Sequence, residues 1–180
     1  MGRVAAALTA LALAASAASS AAVAGSERAV TAPRVGRAGV TVALPRGWHS
    51  WVPPGPYAPG ADPLTRVVAV SAPFRFAASG CQVAGYAFPS DAVALVVVEW
   101  QGRVDPTARY APRPRVFTAK NVPLRPPPAI ECFNGSGGSV QFADHGRDFG
   151  AYILLGRRAP SKLADRARAV LDTLRVESRR

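Results

Sequence analysis

The run Ala92-Val-Ala-Leu-Val-Val-Val-Glu-Trp100 constrains the fold more than any other stretch of the chain. It has the length of a strand and is apolar on both faces for most of its course, so neither face is left for water. A strand of this kind belongs in the middle of a sheet that is covered on both sides. No later run approaches the ~20 apolar residues of a membrane-spanning helix.

Other strands can be placed around it. Gly39–Leu44 reads as a strand closed by Pro45, and Thr65–Ser71, with Val67, Val68 and Val70, as another. Residues 72–90 are irregular and carry Phe74, Phe76 and Cys81. Residues 101–129 are broken repeatedly by proline and glycine and read as a long excursion, with Arg115–Thr118 as a short edge strand. Ile130–Phe133 is expected to be a short strand, and Asn134-Gly-Ser-Gly-Gly138 a turn. Ser139–Ala143 and Asp148–Leu155 then form a hairpin around Asp144-His145-Gly146-Arg147, with Gly146 in the left-handed region. In its second strand Phe149, Ala151, Ile153 and Leu155 share one face, and Gly150 and Tyr152 the other.

A helix closes the domain. Pro160-Ser161 is its start signal, with Ser161 as N-cap and Asp165 near the positive end of the dipole. Leu163, Ala167, Val170, Leu171 and Leu174 form one apolar stripe, while Lys162, Arg166, Arg168 and Asp172 lie away from it. The class is therefore α+β: an antiparallel sheet of about five or six strands with a C-terminal amphipathic helix packed on one face. The domain is expected over 39–176, preceded by a flexible arm at 25–38 and followed by a frayed tail at 177–180.

The first 24 residues have the layout of a secretory signal peptide: basic Met1-Gly2-Arg3, an Ala/Leu/Val run, and Ala22-Val23-Ala24 before Gly25. Removing 24 of 180 residues leaves 156, enough for one core. The expected location is therefore secreted or cell-envelope, with no transmembrane segment in the mature chain. In an oxidising compartment the two cysteines, Cys81 and Cys132, are expected to bond. Closing a loop of about 50 residues would add roughly 4 kcal/mol in the loop-entropy picture. No C-x-x-C or H-x-x-x-H pair suggests a metal, and no cofactor is expected.

The net charge of +11 becomes +10 once Arg3 leaves with the signal. Arginine outnumbers lysine 20 to 2 and is scattered, which fits a GC-rich coding bias better than a nucleic-acid surface. A first strand ending in Leu-Pro-Arg-Gly-Trp48, a mid-chain apolar strand, Gly-Arg-Asp-Phe149 in a late hairpin and a final Leu-Asp-Thr-Leu-Arg-Val176 resemble small exported α+β domains of high-GC bacteria. In architecture these are similar to the PsbP-like group. The resemblance implies export and fold class, and its motifs are packing signatures. It departs where a first helix belongs, since a proline-rich loop stands there.

Catalytic motifs are not evident. Only His49 and His145 can serve as a base, and Asn134–Gly138 lacks the G-x-S-x-G spacing of a nucleophile elbow. The same segment is no phosphate loop, because Val140 stands where G-x-G-x-x-G needs glycine. Glu99, in the central strand, would need an arginine partner if it faces inward. The remaining feature is GWHSWVPPGPYAPG, residues 47–60. Trp48, four residues after Leu44, is expected to fold back as a plug on the core. Trp51 and Tyr57, stiffened by prolines, are expected to form a platform with Arg46 and His49 for a sugar, a peptide or an anionic polymer. The functional expectation is an exported, non-catalytic domain that binds a protein partner or an anionic envelope polymer. A small secreted hydrolase with a loop-assembled site is the alternative.

Overall fold

The computed structural model describes residues 32–53, 63–77, 83–101, 110–127 and 129–178. Among them the strands are β1 (Arg34–Arg37), β2 (Val40–Ala43), β3 (Leu64–Val70), β4 (Arg75–Phe76), β5 (Tyr86–Ala87), β6 (Val93–Trp100), β7 (Ser136–Asp144), β8 (Arg147–Leu155) and β9 (Arg175–Val176). The helix, α1, spans Lys162–Asp172 and precedes β9. The α+β reading holds, with every strand pairing antiparallel. The single sheet of five or six strands does not. The strands divide into a four-stranded sheet ordered β3-β6-β8-β7, a three-stranded sheet ordered β1-β2-β9, and the β4-β5 pair.

β6 is interior to the four-stranded sheet, as its unbroken apolar run requires. Val93, Leu95 and Val97 enter one core with β2, α1, Trp48 and the Phe149/Ala151/Ile153/Leu155 face of β8. Ala94, Val96 and Val98 point the other way, into a second cluster with Val68, Val70, Tyr86 and Leu154. Helix α1 covers the first face and packs on β6, β8 and β2. The second face is covered by Phe76 of β4 and by loop residues, among them Phe74, Phe88, Ile130 and Phe133.

Several boundaries move. The arm expected over 25–38 ends in β1, which pairs with β2 across Ala38 (φ 51°) and Gly39 (φ 71°). Backbone pairing creates β1 without an apolar pattern, and Arg34 fastens it by donating to the Thr41 and Thr173 carbonyls. At the far end Val176 pairs with Val40, and Glu177 N–H donates to the Gly39 carbonyl, so the start of the expected tail is docked. Asn134–Gly138 is not a free turn, because β7 begins at Ser136. The glycines serve close approach: a Cβ on Gly137 would lie 2.5 Å from Ile130 Cγ1, and one on Gly138 2.7 Å from the Pro123 carbonyl.

Neither Ile130–Phe133 nor Arg115–Thr118 is a strand. The first is a turn closed by Phe133 N–H to the Ile130 carbonyl, with Cys132 at φ 61°. The second lies in a segment that protects the β7 edge by isolated bridges instead, Pro112 with Ala143 and Arg125 with Gly137. Pro112, Pro114 and Pro123 lack the N–H groups a continuous ladder needs, and short bridges are enough to blunt an edge. The β7–β8 hairpin turns through His145 (φ 50°) and Gly146 (φ 71°), the two successive positive φ values that match strand twist.

Helix α1 buries Ala167, Val170 and Leu171 of the expected stripe and Ala164 beside them, while Leu163 is half-buried. Ser161 is not a side-chain cap. Its backbone is already helical (φ −54°, ψ −30°), and bonds from Leu163 N–H to Pro160 and Ala164 N–H to Ser161 tighten the first turn instead. Arg168 is a second correction, for it is only 6% exposed. Its Nη2 donates to the Val122 carbonyl at 2.8 Å and its Nη1 to Asp165 at 2.6 Å. The incoming 110–127 segment covers a helix face that helical periodicity alone assigns to water.

Candidate functional site

The expected platform is only partly assembled. Trp48 N–H bonds the Pro45 carbonyl across the Arg46-Gly47 turn, and the indole returns into the first core at 6% exposure. Trp48 is thus the plug. The next residue, His49, exchanges backbone hydrogen bonds with Val70 at the edge of the four-stranded sheet, its residue exposed. Arg46 is exposed on the turn. No contact joins the side chains of Arg46, His49 and Trp51 among the described residues. Tyr57 lies outside the described residues.

Trp51 is 47% exposed and has a support the sequence reading missed. Its ring lies 5.6 Å from that of Phe76, Phe76 lies 5.6 Å from Tyr86, and Tyr86 lies 5.9 Å from Phe74. The ladder runs from an exposed indole through half-buried Phe76 to buried Tyr86, which half-buried Phe74 meets edge-on. Arg75, between the two phenylalanines in β4, is exposed. Beyond it Pro73, Phe74, Arg75, Ala87, Phe88 and Pro89 line an open depression of about 380 Å³. The Trp51 loop is held from behind by Arg37, which donates to the Pro53 carbonyl at 2.7 Å. The signal for this support was the Phe-x-Phe spacing at 74–76, which in a strand puts both rings on one side.

A charged cleft of about 690 Å³ lies elsewhere, lined by Ala38, Arg66, Glu99, His145, Arg147, Val176, Glu177 and Ser178. Sheet register builds it. Glu99 stands opposite Phe149, and Arg147, two residues along β8, shares that side. Arg147 therefore reaches Glu99 with a forked pair of bonds, Nε to Oε1 at 2.9 Å and Nη2 to Oε2 at 2.8 Å. A register shift in β3 between Thr65 and Val67 leaves Arg66 as an extra residue, and such bulges re-aim side chains. Arg66 Nε donates to the same Oε2 at 2.6 Å. Glu99 thus has arginine partners, as a fully buried carboxylate in this strand must.

Beside the cleft, Asp144 accepts from His145 Nδ1 at 2.8 Å and from Arg113 at 3.1 Å. A carboxylate that orients a histidine is one part of a hydrolase constellation, but no hydroxyl is hydrogen-bonded to His145 among the described residues. Cys132 sits in an exposed turn and is engaged rather than free, while its expected partner Cys81 lies outside the described residues. Among the described residues no group of three His, Cys, Asp or Glu side chains is placed to hold a metal ion, and no helix is long and apolar enough to cross a membrane. No family model, no curated protein and no solved structure matches this chain.

Proposed function

We propose that this is an exported, non-catalytic binding domain, and that Trp51 with its aromatic support meets a protein partner or an anionic envelope polymer. The observation that carries this reading is Trp51 itself, 47% exposed yet supported by a tilted ring contact with Phe76. A large apolar ring held in one orientation loses little freedom on binding, which is why such rings act as contact anchors. Exposed Arg75 and Arg46 supply positive charge around the loop for an acidic ligand. The layout of the first 24 residues supports export.

The test is a set of substitutions in the mature protein, with binding to envelope extract and melting temperature as readouts. Trp51→Ala together with Tyr57→Ala should abolish envelope binding and leave the melting temperature nearly unchanged. Trp48→Ala, which empties a core position, should lower stability by about 3–5 kcal/mol. A double variant that unfolds would make the whole loop a plug and defeat the platform reading.

A further inference from the structure

We infer that the cleft between β3, β8 and the C-terminal segment is a binding site for a small oxyanion, a carboxylate or a phosphate group. Two guanidinium groups, Arg66 and Arg147, share one buried carboxylate, Glu99. One cation is enough to neutralise a buried carboxylate, and the second guanidinium has only Glu177, exposed at the rim of the same cleft, to offset it among the described residues. A weakly offset charge in such a place is costly unless a counter-ion sits beside it. The neighbouring Asp144 does not supply the balance, since Arg113 and His145 already bind it.

The donors point to the same conclusion. Arg147 has all three nitrogens engaged: its Nε and Nη2 hold Glu99, and its Nη1 donates to the Glu177 carbonyl at 3.1 Å. Arg66 is different. It holds Glu99 through Nε alone, and among the described residues its two Nη amines have no hydrogen-bond partner, although the side chain is only 14% exposed. Those amines form the planar fork that matches the two oxygens of a carboxylate or phosphate. His145 lines the same cleft, with Nδ1 committed to Asp144 and Nε2 left for a ligand. The cleft, about 690 Å³, has room for an oxyanion together with part of the molecule that carries it. Two carboxylates line the cleft and oppose an anion: Glu99, already held by the two arginines, and Glu177, exposed at the rim against Gly39.

Calorimetric titration of the full mature chain with inorganic phosphate and with acetate tests the site and separates the two ligand classes. One of the two should bind, and the tighter one identifies the group. Arg66→Gln should weaken that binding by about tenfold or more, the size of a charge-assisted hydrogen bond. His145→Gln, at a half-exposed hairpin tip, keeps the test open should Arg66→Gln fail to fold, and is also expected to weaken binding. Glu177→Gln should tighten it. Absence of binding for both anions at about ten millimolar, a level where even the weakest specific site registers, would overturn the site. So would unchanged affinity in folded Arg66→Gln and His145→Gln variants.

Discussion

At the residue scale the most informative position is Glu99, an acid in the middle of an apolar strand with no exposed surface. Its charge is tolerated because, among the described residues, three guanidinium N–H groups reach its two oxygens. Glu99→Gln removes the charge that both arginines were placed to meet and leaves Arg147 buried without its partner. Breaking one member of such a cluster costs roughly 3–5 kcal/mol, so the variant should lose that much in a denaturant titration. Replacing Glu99 and Arg147 together by apolar residues should cost less than the sum of the two single changes, because Arg147 is then not left buried alone and only the partly exposed Arg66 loses its partner. That an arginine would pair with Glu99 was legible in the sequence, since a buried carboxylate demands a cation. Which arginines do so was not, because the answer lies in the β6–β8 register and in the bulge that turns Arg66 inward.

At the scale of the element, α1 shows how far periodicity reaches. Leu163, Ala167, Val170 and Leu171 of its stripe enter the core with Leu174, which lies just past the helix end, and Leu171 is fully buried. Leu171→Ala should therefore cost about 2–5 kcal/mol as a core truncation. Arg168, off the stripe, would be expected to be neutral, yet it is buried under the 110–127 segment. Its pair with Asp165, which is 74% exposed, contributes little. Its bond to the buried Val122 carbonyl matters more, and Arg168→Ala should cost about 1–3 kcal/mol by leaving that acceptor unpaired. Lys162→Ala, on the exposed side, should stay within about 0.5 kcal/mol. Equal melts for the Arg168 and Lys162 variants would mean that the segment does not cover the helix in solution.

At the scale of the whole molecule, the two faces of the four-stranded sheet are covered by different means. One is packed by α1, β2 and Trp48, the other by loops rich in aromatic rings. Loops that cover a sheet by ring contacts alone benefit from a covalent tie, and we propose that Cys81 and Cys132 provide it. Thiol titration of the unreduced exported protein should find no free sulfhydryl, and the same material should begin at Gly25. Cys132→Ser should destabilise the fold by about 2–4 kcal/mol. Two titratable thiols in folded, exported protein would refute the bond.

The strand character of β6, the β7–β8 hairpin, the faces of β8, the helix and the inward return of Trp48 follow from the sequence alone. Each rests on local pattern: a period of two or 3.6, a glycine able to take positive φ, a proline that stiffens a short path. The tertiary structure alone decided the split into a four-stranded sheet, a three-stranded sheet and the β4-β5 pair, the docking of β1 and β9, the extension of β7 through Ser136-Gly137-Gly138, the burial of Arg168 and the Arg66–Glu99–Arg147 cluster. These depend on which backbone approaches which across long separations in the chain. A glycine that admits a neighbouring loop and a glycine that makes a turn look the same in sequence, and an arginine records nothing of the segment that will cover it.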